Sequence, residues 1–317
     1  MLDAQAPLRQ NGSARILRTY LYLLSHAFSG STLMAHLLGS HPEIATTGET
    51  SVTRGIDISR YPCSCGALIE ACDFWQAVTK QMNDRGFPFT ISDPDLRFHS
   101  TKGAFTDRLL RAGPRNRLLE QVRSIALTVL PTCRSETRRL LSRNEGFAEI
   151  VASVRGRSVF LDTSKHPTRL LHLARIPSFE IYVVHLLRDA RAVSNSCVKN
   201  LNMPVRQAAT SWVESAEACE RMRRRFADDR WLTIRYEDLC RNPREVLPRI
   251  FKFARLRDDD GYLHFRNAEH HIIGNRMRLA ARSEIKLDEK WRTALSAEQL
   301  SQIQAVAGRL SHGYGYA

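Results

Sequence analysis

The sequence predicts an α/β fold built on a central parallel β-sheet flanked by helices, with a helical insertion. Three observations carry this expectation. Apolar stretches of strand length recur at Tyr20–Leu24, residues 157–162, Phe179–Leu187 and Trp231–Arg235. Segments of helical pattern separate them, and that alternation implies a parallel sheet covered on both faces. The chain has 317 residues, 43% of them hydrophobic, so it can bury a sizeable core.

Taken in order, residues 1–15 are polar and lack an apolar leader core, so they are expected to be disordered and not a secretory signal. With no apolar run near the ~18 residues that span a bilayer, the chain is expected to be cytoplasmic, without integral membrane association. Residues 16–317 read as one domain. Its first unit is informative: the Tyr20–Leu24 strand enters a small-residue turn, Ser29-Gly30-Ser31-Thr32. A helix carrying Leu33, Leu37 and Leu38 follows and ends near Gly39, before His41-Pro42. This is a P-loop-like unit whose amides, hydroxyls and helix dipole suit a phosphate. It lacks the lysine of an ATP site, because Ser31 stands in that place. Taken alone, the same residues would also serve as an ordinary strand-to-helix turn with a serine cap.

Residues 51–150 are arginine-rich and helix-prone, punctuated by Pro88, Pro94, Pro114 and Pro131. They read as a helical insertion around 75–150 that could shape an acceptor pocket. A second buried strand is expected at 157–162, a helix at 168–175, and a strong apolar strand at 179–187. Helices at 191–199 and 208–226, a strand at 231–235 and a helix at 242–254 with Pro243 in first place complete the pattern. Ligands of parallel sheets bind beyond the carboxyl ends of the strands. The Ser29 loop, Asp162–Lys165 and Arg188–Asp189 all fall there.

Charge narrows the ligand. Forty-seven basic residues against 33 acidic ones leave a formal charge of +14. Zinc-finger, RRM and basic-zipper signatures are missing, so a polyanionic small ligand or acidic acceptor is favoured over nucleic acid. Seven cysteines do not make a disulfide scaffold in a chain this long. Cys133, Cys197, Cys219 and Cys240 are scattered and read as inert. Cys63, Cys65 and Cys72 cluster, but the spacing departs from paired C-x2-C and no histidine lies nearby in sequence, so a local structural role is favoured over zinc.

Arg188 leaves the end of a strand, and Ser196 follows eight residues later, about two turns into a helix. Arginine grips phosphate with two parallel hydrogen bonds. The pairing of this segment with the Ser29 loop resembles the sulfotransferases that use 3′-phosphoadenosine 5′-phosphosulfate (PAPS). The resemblance is closest to the bacterial branch, and more distant to tyrosylprotein sulfotransferases. It continues through Arg235-Tyr236-Glu237-Asp238-Leu239, the segment 271–278 and Lys290-Trp291-Arg292. It implies that Ser29, Gly30, Ser31, Thr32 and Leu33 hold the 5′-phosphosulfate, and that Arg188 and Ser196 hold the 3′-phosphate. Tyr236, Arg276 and Arg278 are further nucleotide contacts on this reading. Lys165, in an Asp-Thr-Ser-Lys segment, would stabilise the transferring group. Glu49, seven residues after Pro42, would be the base, ahead of His166. The family needs no metal, and its acceptors are carbohydrates, lipids, other small molecules or tyrosine hydroxyls. One departure stands out: Phe28 sits where relatives carry Arg or Lys. Two other readings compete: a P-loop small-molecule kinase using Asp162 for Mg²⁺, and a non-catalytic basic module for polyanions. Nothing in the residues points to an oligomeric state.

Overall fold

The computed structural model describes residues 17, 19–50, 57–274, 276–279 and 284–316; the expectation for residues 1–15 lies outside them. Among the described residues, five parallel strands form one sheet in the order β2-β3-β1-β4-β5. They are β1 (Thr19–Ser25), β2 (Ile44–Gly48), β3 (Val159–Lys165), β4 (Glu180–Leu187) and β5 (Trp231–Arg235). β1 lies in the centre and is buried almost throughout, as a strand covered on both faces must be. Its side chains alternate between two cores. Tyr20, Tyr22 and Leu24 face one, while Leu21 and Leu23 face the other.

The second core packs helix α1 (Ser31–Gly39) against the sheet through Leu33, Met34, Leu37 and Leu38. The first core is covered by the insertion between β2 and β3. It comprises α2 (Asp73–Asp84), α3 (Ala104–Arg111), α4 (Arg117–Val129) and α5 (Pro131–Val154). Pro131 opens α5 at a position whose amide has no helical partner. Buried Arg143 of α5 donates to the carbonyl of Pro94 at 3.1 Å, tying down the loop before α3. After β3 come α6 (Pro167–Leu173), then β4, α7 (Ala190–Leu201) and α8 (Val205–Arg223). After β5 come α9 (Tyr236–Arg241), α10 (Pro243–Phe253), α11 (Trp291–Ala294) and α12 (Ala297–Gly313). A third core, centred on Trp212 and Trp291, joins α7, α8, α11 and α12.

Two features position the site. From β1 the chain runs toward β2, whereas from β4 it runs toward β5, so a crevice opens between the adjacent ends of β1 and β4. At the opposite edge, a late segment adds to β2: Ile273 N–H donates to Thr47 O at 2.8 Å, and Gly48 bridges Ile273. Gly48 has φ +74°, and a Cβ there would lie 2.5 Å from the Ile273 carbonyl oxygen, so only glycine admits this strap. No helix among the described residues is long and apolar enough to cross a membrane.

Candidate active site

The crevice holds a cavity of about 890 Å³. Its floor is the turn after β1. Gly30 is the N-cap of α1, with φ 91°, and the helix has no side-chain cap. The first-turn amides therefore have no capping side chain, and they face the end of the sheet where an anion can accept from them. The expected serine cap is replaced by this glycine. A Cβ at Gly30 would come within 2.5 Å of the Tyr236 ring, so the loop and the start of α9 fit only through that glycine. Ser31 and Thr32 line the cavity with Gly30. Ser29 is buried, and the Leu33 side chain lies in the core, so Leu33 can serve a ligand only through its backbone.

Arg188 follows β4 and is 6% exposed. It donates to the Phe28 carbonyl at 2.8 Å and the Asp288 carbonyl at 2.9 Å. Its guanidinium stacks 4.4 Å from the Tyr236 ring centroid and lies 3.3 Å from the Asp288 carboxylate. Its Nε is buried with no acceptor among the described residues, a donor an incoming phosphate can satisfy. Ser196, on α7, lines the same cavity, and its hydroxyl donates to Ala192 O at 2.9 Å. Tyr236 also lines it, with its phenol pushed above the usual range by burial.

Opposite lies a charged pair. Lys165 ends β3 and Glu49 follows β2; Lys165 Nζ and Glu49 Oε1 are 2.5 Å apart, and both line the cavity. Lys165 has φ +72° and Phe28 φ +62°, left-handed values costly for residues with a Cβ. The two strained residues thus flank one cavity. Strand irregularity explains Lys165: the β1–β3 register shifts after Tyr22, and Leu24 pairs with Lys165. His166 is exposed and does not line the cavity. Asp162 is fully buried and accepts from Tyr20 Oη, Ser164 N–H and Arg169 Nε, each at 2.8 Å. Those bonds commit it to the sheet, which weighs against a Mg²⁺ role.

The late loop contributes differently from the expectation. Arg278 is buried; it donates to Gly274 O at 2.6 Å and Pro62 O at 3.0 Å and stacks on Tyr61. It shapes the loop and does not line the cavity. The Arg276 side chain lies outside the described residues. Sequence reasoning missed Asn200, Lys286, Asp288 and Lys290, which do line the cavity. Lys286 and Lys290 bring cations that Phe28 does not. The segment Lys290-Trp291-Arg292 carried a usable signal, an isolated basic-aromatic cluster before a helix.

Comparison with known proteins bears on the family and the fold. The model of the sulfotransferase family matches residues 21–260. Carbohydrate sulfotransferase 4 of Mus musculus is 26% identical over 170 residues, 44% of this chain. The match spans only 43% of that relative's length. The sulfotransferase domain from the Synechococcus PCC 7002 olefin synthase superposes with a TM-score of 0.53 at 19% identity, covering 98% of this chain and 99% of that one. Sulfotransferase STF9 from Mycobacterium avium gives 0.51 at 15% identity, with coverage of 95% and 78%. At these identities the likeness is one of fold.

Proposed function

The chain belongs to the sulfotransferase family and is a sulfotransferase enzyme; from that premise we propose that it moves a sulfonate from PAPS to an acceptor hydroxyl. One observation carries the proposal: a single cavity collects the uncapped α1 turn, the Glu49–Lys165 pair, Arg188 and Ser196. When bound, the donor supplies an activated sulfonate on a phosphate leaving group. The Gly30–Thr32 turn suits the 5′-phosphosulfate, and Arg188 with Ser196 suits the 3′-phosphate. Glu49 takes the proton of the acceptor hydroxyl as its oxygen bonds to sulfur and the sulfur–oxygen bond to the leaving phosphate breaks. Lys165 holds Glu49 at rest and can turn toward charge developing on the sulfonate and leaving oxygens. Adenosine 3′,5′-bisphosphate is the co-product.

The acceptor read first is a carbohydrate hydroxyl. The named activity of the Mus musculus relative and the charge of +14, suited to an anionic glycan, support this. Lipid, phenolic and tyrosine hydroxyls belong to the same chemical class. The test is transfer of radiolabelled sulfonate from PAPS across a panel of glycan, lipid and phenol acceptors, alongside calorimetry with adenosine 3′,5′-bisphosphate and with ATP–Mg²⁺. Labelled product and preferential binding of the bisphosphate are expected. Preferential ATP–Mg²⁺ binding with no transfer overturns the reading.

A further inference from the structure

The strap on β2 is fastened at its other end by four side chains that the transfer reaction does not use. Cys63 and Cys65 sit on a short turn closed by Gly66 N–H to Cys63 O at 3.0 Å. Cys72 is the residue before α2. His271, remote in sequence, arrives on the late segment that continues into the Ile273 bridge. The three sulfurs and a ring nitrogen of His271 all lie within 4.8 Å of one another. Cys65 Sγ is 3.7 Å from Cys72 Sγ, and His271 Nδ1 is 3.7 Å from Cys63 Sγ and 3.3 Å from Cys72 Sγ. Four ligands about 2.3 Å from a central ion have tetrahedral edges of roughly 3.8 Å. The measured separations have that size.

The surroundings agree. His271 Nε2 is 2.8 Å from Glu269 Oε1, so the carboxylate accepts from Nε2 and leaves Nδ1 as the ligating nitrogen. The Phe74 ring stacks on His271 at 4.3 Å and fixes its plane. Ser64, between the two cysteines, donates to His270 O at 2.8 Å and accepts from Ile272 N–H at 2.7 Å, so backbone contacts hold the two segments in register. Cys63, Cys72 and His271 are buried and Cys65 is exposed. All four corners of the tetrahedron are protein groups, which marks a closed structural site and not a catalytic one. A disulfide would use two sulfurs and leave the third beside the imidazole without a role.

We propose that Cys63, Cys65, Cys72 and His271 form a structural zinc site that pins the insertion to the late segment beside Glu49. Thiolate-rich tetrahedral sets select zinc among the common divalent ions. Zn²⁺ binds the three sulfurs as thiolates and the neutral imidazole, releasing up to three protons from the thiols, with no change of oxidation state. The proposal is independent of the sulfonate reaction, and its readouts do not use turnover.

The experiment is elemental analysis of the full chain, purified without a histidine tag under reducing conditions and desalted. One zinc per chain is expected. Replacement by Co²⁺ should give thiolate-to-cobalt charge-transfer bands and tetrahedral d–d absorption, a readout on the unmutated protein that needs no variant to fold. Cys65→Ser, at the exposed corner, should lose zinc on desalting, whereas Cys240→Ser should keep it. Glu269→Gln should weaken zinc binding by about 10- to 100-fold. Zinc-free protein that takes up neither zinc nor cobalt under reduction overturns the proposal. So does zinc content unchanged in both Cys65→Ser and His271→Asn.

Discussion

In the proposed mechanism Glu49 is the base, and its geometry makes its removal readable. It touches Lys165 and follows β2, three places along the sheet from β4, which Arg188 follows. Glu49→Gln should lower turnover by about 10²-fold or more while affinity for adenosine 3′,5′-bisphosphate stays within a few fold. Steady-state kinetics with calorimetry checks this; unchanged turnover removes Glu49 from the mechanism. Arg188→Ala should weaken the bisphosphate far more than adenosine 5′-phosphate, because only the former carries a 3′-phosphate for the guanidinium. Equal losses would show Arg188 to be a brace for Phe28 and Asp288 alone. Phe28 poses the complementary question. Its carbonyl accepts from Arg188 while its side chain packs beside the Ala190–Trp212 core, so Phe28 brings no cation to the cavity. Lys286 and Lys290, which line the cavity with Lys165 and Arg188, are further cations within it. Lys290→Ala should raise the KM for PAPS several-fold; an unchanged KM returns the task to Lys165.

At the scale of elements, the legible and illegible parts of the chain divide by how local their causes are. The strands at 20–24, 157–162 and 179–187 were readable because burial on both faces demands runs of apolar residues, and the edge strand at 231–235 through its β-branched and aromatic residues. β2 was missed. Ile44-Ala45-Thr46-Thr47-Gly48 is short and half polar, and its stability comes from pairing with β3 on one side and Ile273 on the other. Neither partner is visible from the segment itself. The same reason hid His271 from the cysteines and Lys286 from the phosphate loop. By contrast, the Ser29–Thr32 turn and the Arg188–Ser196 spacing are local, and apart from the buried Ser29 their residues line one cavity. α12 went unread although Ser296 and Gln299 make a capping box at its start. The β2 strap supplies its own prediction. Gly48→Ala should destabilise the fold by about 1–3 kcal/mol, through its positive φ and the clash with Ile273 O. Because Glu49 is the next residue, turnover should fall while bisphosphate binding persists. A denaturation midpoint equal to wild type would show that the strap yields without cost.

For the whole molecule, the buried histidines set how stability responds to acid. His36, His172 and His185 are each at most 3% exposed and lie in different parts of the cores. Burial lowers His185 to about 4. Burial likewise lowers His172 to about 4, against a hydrogen bond to Leu110 O that pulls the other way. His36 falls to about 3, through burial first and then the nearby His270 and Arg266. In the unfolded chain each titrates near the ordinary value of about 6.5. The unfolded state therefore binds protons in a range where the folded state does not. The stabilisation is complete above about pH 6.5 and is lost as pH falls toward the folded values. Three protons taken up at these sites contribute a limiting slope of about 4 kcal/mol per pH unit, and burial lowers His26, His166 and His270 as well, which adds to it. Between about pH 6.5 and 5, ordinary carboxylates are still ionised, so histidines dominate the slope. Loss of a zinc ion in acid would act in the same direction, and a single substitution separates the two. His185 packs against Trp231 at 5.6 Å, far in sequence from the cysteine cluster, and His185→Phe keeps a ring there while removing one proton. Chemical denaturation at pH 7, 6 and 5 should show the variant's slope shallower than wild type by up to about 1.4 kcal/mol per pH unit, the share of one proton. Parallel slopes in the two proteins would show that His185 is not part of the acid response.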